Sequence, residues 1–168
     1  MSRSLFGTDG IRGEANRFLT ADLAMAAGRA AVAVLPAVRP RFLTGSDPRI
    51  SSPMLEAALV AGISSAGGEV IRAGVIPTPA VASLILTEGA DAGAVISASH
   101  NPWQDNGIKF FGAEGFKLTD QQEAEMEKHL AHDPADFEAP GEPGRVSDYL
   151  DPVEAYVDSL LANFDFEA

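Results

Sequence analysis

There is no cysteine among the 168 residues, so neither a disulfide framework nor a thiolate metal site is open to this chain. That suits a reducing compartment. No apolar run approaches the roughly 18 residues needed to cross a bilayer, and Met1 to Gly7 lack the apolar core of a signal peptide. The expectation is a soluble, cytoplasmic protein with no membrane partner. Internal repeats are also missing. Positive charge is scarce in one region only: residues 1 to 112 carry nine acidic and nine basic side chains, residues 113 to 168 fifteen acidic and three basic. The formal net charge of -12 therefore belongs to the C-terminal third. An acidic surface repels phosphate backbones, which argues against nucleic acid or anionic membrane as a partner. The neutral N-terminal part can still bind a phosphate through local donors. What is present is a globular composition, 46% apolar, in a chain long enough to bury a core as one domain.

Short β-like runs at Phe42 to Thr44, Val70 to Ala73 and Ala92 to Ile96 alternate with helical segments. A helix is predicted to open at Thr20, run through Leu23, Ala27, Ala30 and Val34 on an alanine-rich face, and end before Pro36. Ser52-Pro53, Thr78-Pro79 and Asp151-Pro152 each read as a capping side chain before a proline at the first helical position. After the turn dipeptide Asn106-Gly107, Ile108 to Phe111 reads as an antiparallel arm. The pattern predicts an α/β fold: a three-layer domain with a mixed, largely parallel sheet between helices. Asp120 to His132 reads as a solvated helix and Asp133 to Asp148 as linker. In the last helix Val153, Val157, Leu160, Leu161 and Phe164 recur at helical spacing, so it is expected to bury that face. The predicted division is a domain over 1–146 and, over 147–168, a helix leading towards something that normally follows.

Three loops carry candidate chemistry. Phe6-Gly7-Thr8-Asp9-Gly10-Ile11-Arg12-Gly13 places three glycines, a threonine and an arginine in eight residues; backbone N–H groups can approach a phosphate there and arginine adds a forked cation. Taken alone, it reads better as a tight turn with a surface arginine. Gly45-Ser46-Asp47-Pro48-Arg49 places a second arginine at a strand end, or is simply an Asp-Pro turn in which Asp47 caps nearby N–H groups. The third loop, Ser97-Ala98-Ser99-His100-Asn101-Pro102-Trp103-Gln104-Asp105-Asn106-Gly107-Ile108-Lys109, delivers a hydroxyl, an imidazole, a carboxamide and a lysine from one strand-turn-strand passage. Neighbours on extended chain point apart, so His100 is expected to be poorly placed as a base for Ser99, and no Gly-x-Ser-x-Gly elbow exists. His129 and His132 read as an exposed helix end rather than a metal pair. A phosphoryl-carrying Ser99, its charge offset by Lys109, His100 and Arg12, fits better than a hydrolase.

These loops, with Gly45-x-Asp47-x-Arg49 and Pro77-Thr78-Pro79, closely resemble the bacterial phosphoglucosamine mutases of the α-D-phosphohexomutase superfamily, over nearly the whole chain. The resemblance implies a phosphohexomutase domain I fold and an isomerase that interconverts glucosamine 6-phosphate and glucosamine 1-phosphate on the route to UDP-N-acetylglucosamine. It implies Ser99 as phosphoryl carrier, a bisphosphorylated sugar that reorients, and catalytic roles for Lys109, Arg12 and His100. Thr8, Asp9, Gly10, Asn101 and Asn106 are implied as phosphate or substrate contacts. Mg2+ would bind through the phosphate on Ser99, with glucosamine or glucose 1,6-bisphosphate as activator, a phosphosugar as substrate, and a homodimer through this domain.

The Asp-Gly-Asp-Gly-Asp-Arg, Gly-Glu-x-Ser-Gly-His and Arg-x-Ser-Gly-Thr-Glu-Pro loops of the family's domains II–IV do not occur in this sequence. The expectation is therefore a domain that lacks efficient turnover by itself. The alternatives are a phosphomannomutase or phosphoglucomutase of the same superfamily, or a non-catalytic phosphate-binding or dimerisation module.

Overall fold

Alternating β-rich runs and helical periodicity become, in the computed structural model, a mixed sheet between two helical layers; the structure describes residues 5–8 and 10–162. The strands are β1 (Ile11–Glu14), β2 (Arg41–Ser46), β3 (Glu69–Val75), β4 (Ala92–Ile96), β5 (Asp105–Gly112) and β6 (Val146–Asp148). Between and after them lie α1 (Ala21–Ala33), α2 (Ser52–Ser65), α3 (Thr78–Glu88), α4 (Asp120–Leu130) and α5 (Pro152–Leu161). The sheet order is β1-β5-β4-β2-β3-β6. β4, β2, β3 and β6 are parallel, while β5 runs antiparallel to both β4 and β1. The predicted mixed, largely parallel sheet and its antiparallel arm are what the chain forms.

Period-two alternation sends successive strand residues to opposite layers. On one face Phe42, Val70, Ala94, Ile96, Ile108 and Phe110 pack against Ala24, Ala27 and Ala31 of α1 and Leu55, Leu59 and Ile63 of α2. On the other, Leu43 and Val95 meet Ala80, Val81, Leu84 and Ile85 of α3. Each fully buried Leu or Ile stabilises this arrangement by roughly 1.5–3 kcal/mol.

Helix starts only partly follow the expected capping. Thr20 does cap α1, accepting from Leu23 N at 3.2 Å, and α1 ends before Pro36 as expected. Ser52 and Thr78, however, are first helical residues rather than caps, with Ser51 and Pro77 preceding them, and neither α2 nor α3 has a side-chain cap. The Ser52 hydroxyl is already committed to tertiary partners, donating to Asp47 Oδ1 at 2.9 Å and accepting from Asn106 Nδ2 at 3.1 Å. Asp151 stands at the N-cap of α5 but at φ 52°, where its carboxylate makes no capping bond.

The acidic third is more structured than its composition suggests. α4 carries a Thr119–Gln122 capping box and buries Met126 completely and Glu123 nearly so, so it is half-buried against α1 rather than solvated. The segment read as linker contains a 3-10 turn (Pro134–Asp136) and β6, which extends the sheet beside β3 and is pinned by Arg72 Nη2 to Asp148 Oδ1 at 2.6 Å. A division after residue 146 falls within β6. α5 docks on the α3 layer through Ala155 and Tyr156, with Ser159 meeting Ser83 at 2.8 Å, and just before it Tyr149 donates to Glu88 at 2.6 Å. Its expected core face is turned outwards: Val153, Val157, Leu160 and Leu161 are 42% to 59% exposed. Phe164 lies outside the described residues.

Candidate active site

β4 ends at Ile96 and hands the chain to the serine loop, which returns at Asp105 as β5. A loop between adjacent antiparallel strands has both ends held by the sheet; here Ser97 N donates to Gly107 O at 2.9 Å. Within it Ser99 N donates to Ser97 Oγ at 3.0 Å and Asn101 N to Ala98 O at 3.1 Å. Ser99 adopts φ 56°, the left-handed region that costs a non-glycine residue energy and recurs at functional sites. Its side chain is exposed.

That left-handed turn overturns one expectation. Because the backbone is not extended at Ser99, the next residue swings back, and His100 Nδ1 lies 3.4 Å from Ser99 Oγ. The imidazole is therefore beside the hydroxyl, at the long limit of a hydrogen bond. Asn101 is half-buried, its Nδ2 donating to Asp105 Oδ2 at 3.1 Å.

Two further strands bring cations to this end of the sheet. Across β1 and β5, Arg12 is directly opposite Gly107, and Lys109 pairs with Val95 of β4. Cross-strand partners share a face, so Arg12 and Lys109 leave the sheet on the same side as Val95, facing the α3 layer. Gly10 is buried at φ 87°, so close to β5 that a Cβ there would lie 2.2 Å from Ile108 O and 3.1 Å from Lys109 Cα. The glycine loop is thereby laid against the lysine's backbone. It is anchored by Gly7 N to Gly10 O at 2.9 Å, by Phe6 N to Glu127 Oε1 at 2.9 Å, and by the Phe6 ring against Phe110. Thr8 is exposed on this loop, beside a cavity shared with Lys117, Asp120, Glu123 and Glu127. Asp9 lies outside the described residues.

Asn106 has a different job from the one its motif implies. It is fully buried, with Nδ2 donating to Ser51 Oγ at 2.9 Å and to Ser52 Oγ, while Oδ1 accepts from Gly107 N at 2.8 Å. Its carboxamide joins β5 to the start of α2 and is spent on that framework.

The second arginine loop supplies what sequence reasoning missed. Asp47 N donates to Ile96 O at 2.9 Å, placing this loop beside the serine loop. Arg49 then donates to Asp47 Oδ2 at 2.9 Å and to four carbonyls of the serine loop. Asp47 does cap Arg49 N, at 3.1 Å. Burial pushes the Asp47 carboxyl up, but hydrogen bonds from Ser97, from Arg49 backbone and side chain, and from Ser52 outweigh it and hold it below the ordinary carboxylate value. A loop with Pro102 and few regular partners has many carbonyls to satisfy, and a nearby arginine is the signal that answers it.

Among the described residues, no group of three or more His, Asp or Glu side chains could hold a metal ion, and no helix is long and apolar enough to cross a membrane.

A mixed sheet with an exposed serine in the left-handed region at the end of a central strand, and cations on the neighbouring strands, defines an α/β domain with one candidate site at the end of its sheet. Residues 3–136 match the phosphoglucomutase/phosphomannomutase alpha/beta/alpha domain I, and the chain belongs to that family. Within it, the chain is 53% identical over 166 residues to the phosphoglucosamine mutase of Geobacillus kaustophilus (strain HTA426), covering 96% of this chain and 37% of the relative. It is 54% identical over 162 residues to that of Desulforamulus reducens, covering 94% and 36% respectively. A solved phosphoglucomutase/phosphomannomutase family protein from Burkholderia thailandensis superposes with a TM-score of 0.80 at 30% identity, over 100% of this chain and 37% of that one. The chain thus spans little more than a third of the length of the curated relatives it matches.

Proposed function

We propose that this chain is the serine-bearing domain of a phosphoglucosamine mutase, interconverting glucosamine 6-phosphate and glucosamine 1-phosphate through a phosphoserine at Ser99. The observation that carries this is the exposed Ser99 at φ 56° on a pinned loop, with Arg12 and Lys109 on adjacent strands. Identity of 53% to relatives bearing that name supports the choice of sugar.

In each transfer the bond between Ser99 Oγ and phosphorus breaks as one forms to a sugar hydroxyl oxygen, and the hydroxyl proton passes to a nearby base. The reverse step returns a phosphate from the other position of the bisphosphorylated sugar. Such a reaction depends on alignment and on cations more than on a strong base. Arg12 and Lys109 offset the charge on the moving group, and His100 and Asn101 flank it. Magnesium, when bound, would withdraw charge from the phosphate; the oxygens on a phosphorylated Ser99 are the donors these residues offer it, too few for an octahedral site. The rest of its coordination shell would have to be supplied by groups other than these.

The test is intact mass and phosphopeptide mapping after incubation with glucosamine 1,6-bisphosphate and magnesium, with Ser99→Ala as control. One phosphate gained at Ser99, and none in the control, is the expected result. Phosphate elsewhere, or none, overturns the reading. Faster uptake from glucose 1,6-bisphosphate or mannose 1,6-bisphosphate would move the assignment to another sugar of the same superfamily.

A further inference from the structure

Arginine carries five N–H donors in a planar fork, and all five of Arg49 are used. Nε donates to Asp47 Oδ2 at 2.9 Å. Nη1 donates to Pro102 O at 2.6 Å and Asp105 O at 3.0 Å. Nη2 donates to Ser99 O at 2.8 Å and Asn101 O at 3.0 Å. Four carbonyls spread along the serine loop thus converge on one guanidinium. One of them belongs to the strained residue itself. The Arg49 side chain as a whole is 13% exposed, so it is held against the loop along most of its length.

The support behind the fork is just as specific. Asp47 is fixed to the end of β4 by its N–H to Ile96 O and receives the Ser52 hydroxyl on Oδ1. Ser52 in turn accepts from Asn106, which sits in β5 just past the loop's return. A closed ring of contacts therefore runs from β4 through Asp47 and Arg49 across the loop and back through Asn106. Arg49 has no donor left for a ligand phosphate, so its cation acts through the loop and not on a bound anion.

We propose that Arg49 is a positioning residue: its guanidinium locks the loop from Ser99 to Asp105 in the left-handed turn that presents the serine hydroxyl. This deepens, and rests on, the reading of Ser99 as phosphoryl carrier. Lysine cannot replace it. A single ammonium has three donors on a point charge and cannot span four carbonyls in one plane.

The experiment compares wild type, Arg49→Lys and Arg49→Ala by amide hydrogen exchange and by the rate at which Ser99 takes up phosphate from glucosamine 1,6-bisphosphate. Exchange at Asn101 and Asp105 is expected to rise at least about tenfold in both variants, while amides of β2 stay protected, the pattern of local opening. Phosphate uptake is expected to fall by about tenfold or more, and guanidinium at millimolar concentration to restore part of it in Arg49→Ala but none in Arg49→Lys, whose side chain fills the site. Unchanged loop exchange in both variants overturns the proposal. So does a uniform rise that includes β2 in Arg49→Lys, which would make Arg49 a support of the whole fold. If wild type takes up no phosphate, the phosphoserine reading fails, and loop exchange alone still decides whether Arg49 is the lock.

Discussion

Gly107 leaves open the space over which the Arg12 side chain lies: a Cβ at Gly107 would be 2.9 Å from Arg12 Cγ and 2.8 Å from the Ser97 carbonyl oxygen. One contact is with a movable side chain, the other with backbone that also closes the serine loop. Gly107→Ala is therefore expected to lower stability by about 1–3 kcal/mol through overpacking. The urea midpoint measures it, and a value equal to wild type would show that β1 and β5 separate without cost.

Asp47 couples the serine loop to pH. Its folded carboxyl titrates below the ordinary value of 3.8, because hydrogen bonds from Ser97, Arg49 and Ser52 outweigh the upward push of burial. A depressed carboxylate contributes stability that is present above the unfolded value and is lost as pH falls through the folded one. Loop amide protection, with the intrinsic exchange rate at each pH divided out, should therefore fall as the solution is acidified below 3.8. In Asp47→Asn the loop should be looser at neutral pH and its exchange should lose this acid-dependent component. An acid response identical in the two proteins would remove Asp47 from the account.

Tyr149 ties the end of β6 to α3. Burial first, then its hydrogen bond to Glu88 and the charge of that carboxylate, push the phenol up to about 12. A raised folded value means that the stabilisation is complete below the ordinary 10.0 and is lost as pH rises through about 12. Ultraviolet titration should show one tyrosine ionising late, and Tyr149→Phe should abolish that phase. The same substitution should cost about 1 kcal/mol at neutral pH, the usual worth of one hydrogen bond.

Asn106→Ala should destabilise the fold by about 1–3 kcal/mol, because Gly107 N loses its buried acceptor and two serine hydroxyls lose a donor. A defect confined to substrate affinity, with the melting temperature unchanged, would return Asn106 to the role its motif implies.

Lys109→Ala should keep the fold, since the residue is only partly buried, yet cut phosphate uptake at Ser99 by about a hundredfold, within the range for a positioned acid, base or charge. Uptake at the wild-type rate would take Lys109 out of the chemistry.

The buried strands were legible because β2 and β4 are short apolar runs between turn signals, and their pairing follows from the helices between them. β1 was not: Ile11-Arg12-Gly13-Glu14 looks like loop sequence, and only the unpaired edge of β5 makes it a strand. β6 was hidden for a similar reason, being three exposed residues ordered by β3 and by Arg72. α4 reads as solvated in the sequence because Met126 is its single large fully buried side chain, too little for periodicity to register. At the candidate site, motif and family resemblance single out Ser99, Lys109 and Arg12, which the fold places at one end of the sheet. The inward turn of Asn106 and the work of Arg49 could not be read from the sequence, since both depend on which carbonyls and hydroxyls the fold brings within reach.

The reversal of β5 within a largely parallel sheet has a last consequence. Because the serine loop leaves and re-enters through neighbouring strands and four of its carbonyls are gripped by Arg49, Ser99 cannot swing between two acceptors while those contacts hold. If Ser99 carries phosphate as proposed, and that phosphate must reach two different oxygens of one sugar, the donor stays still and the sugar does the turning, so the moving parts of such an enzyme belong around the substrate rather than under the serine.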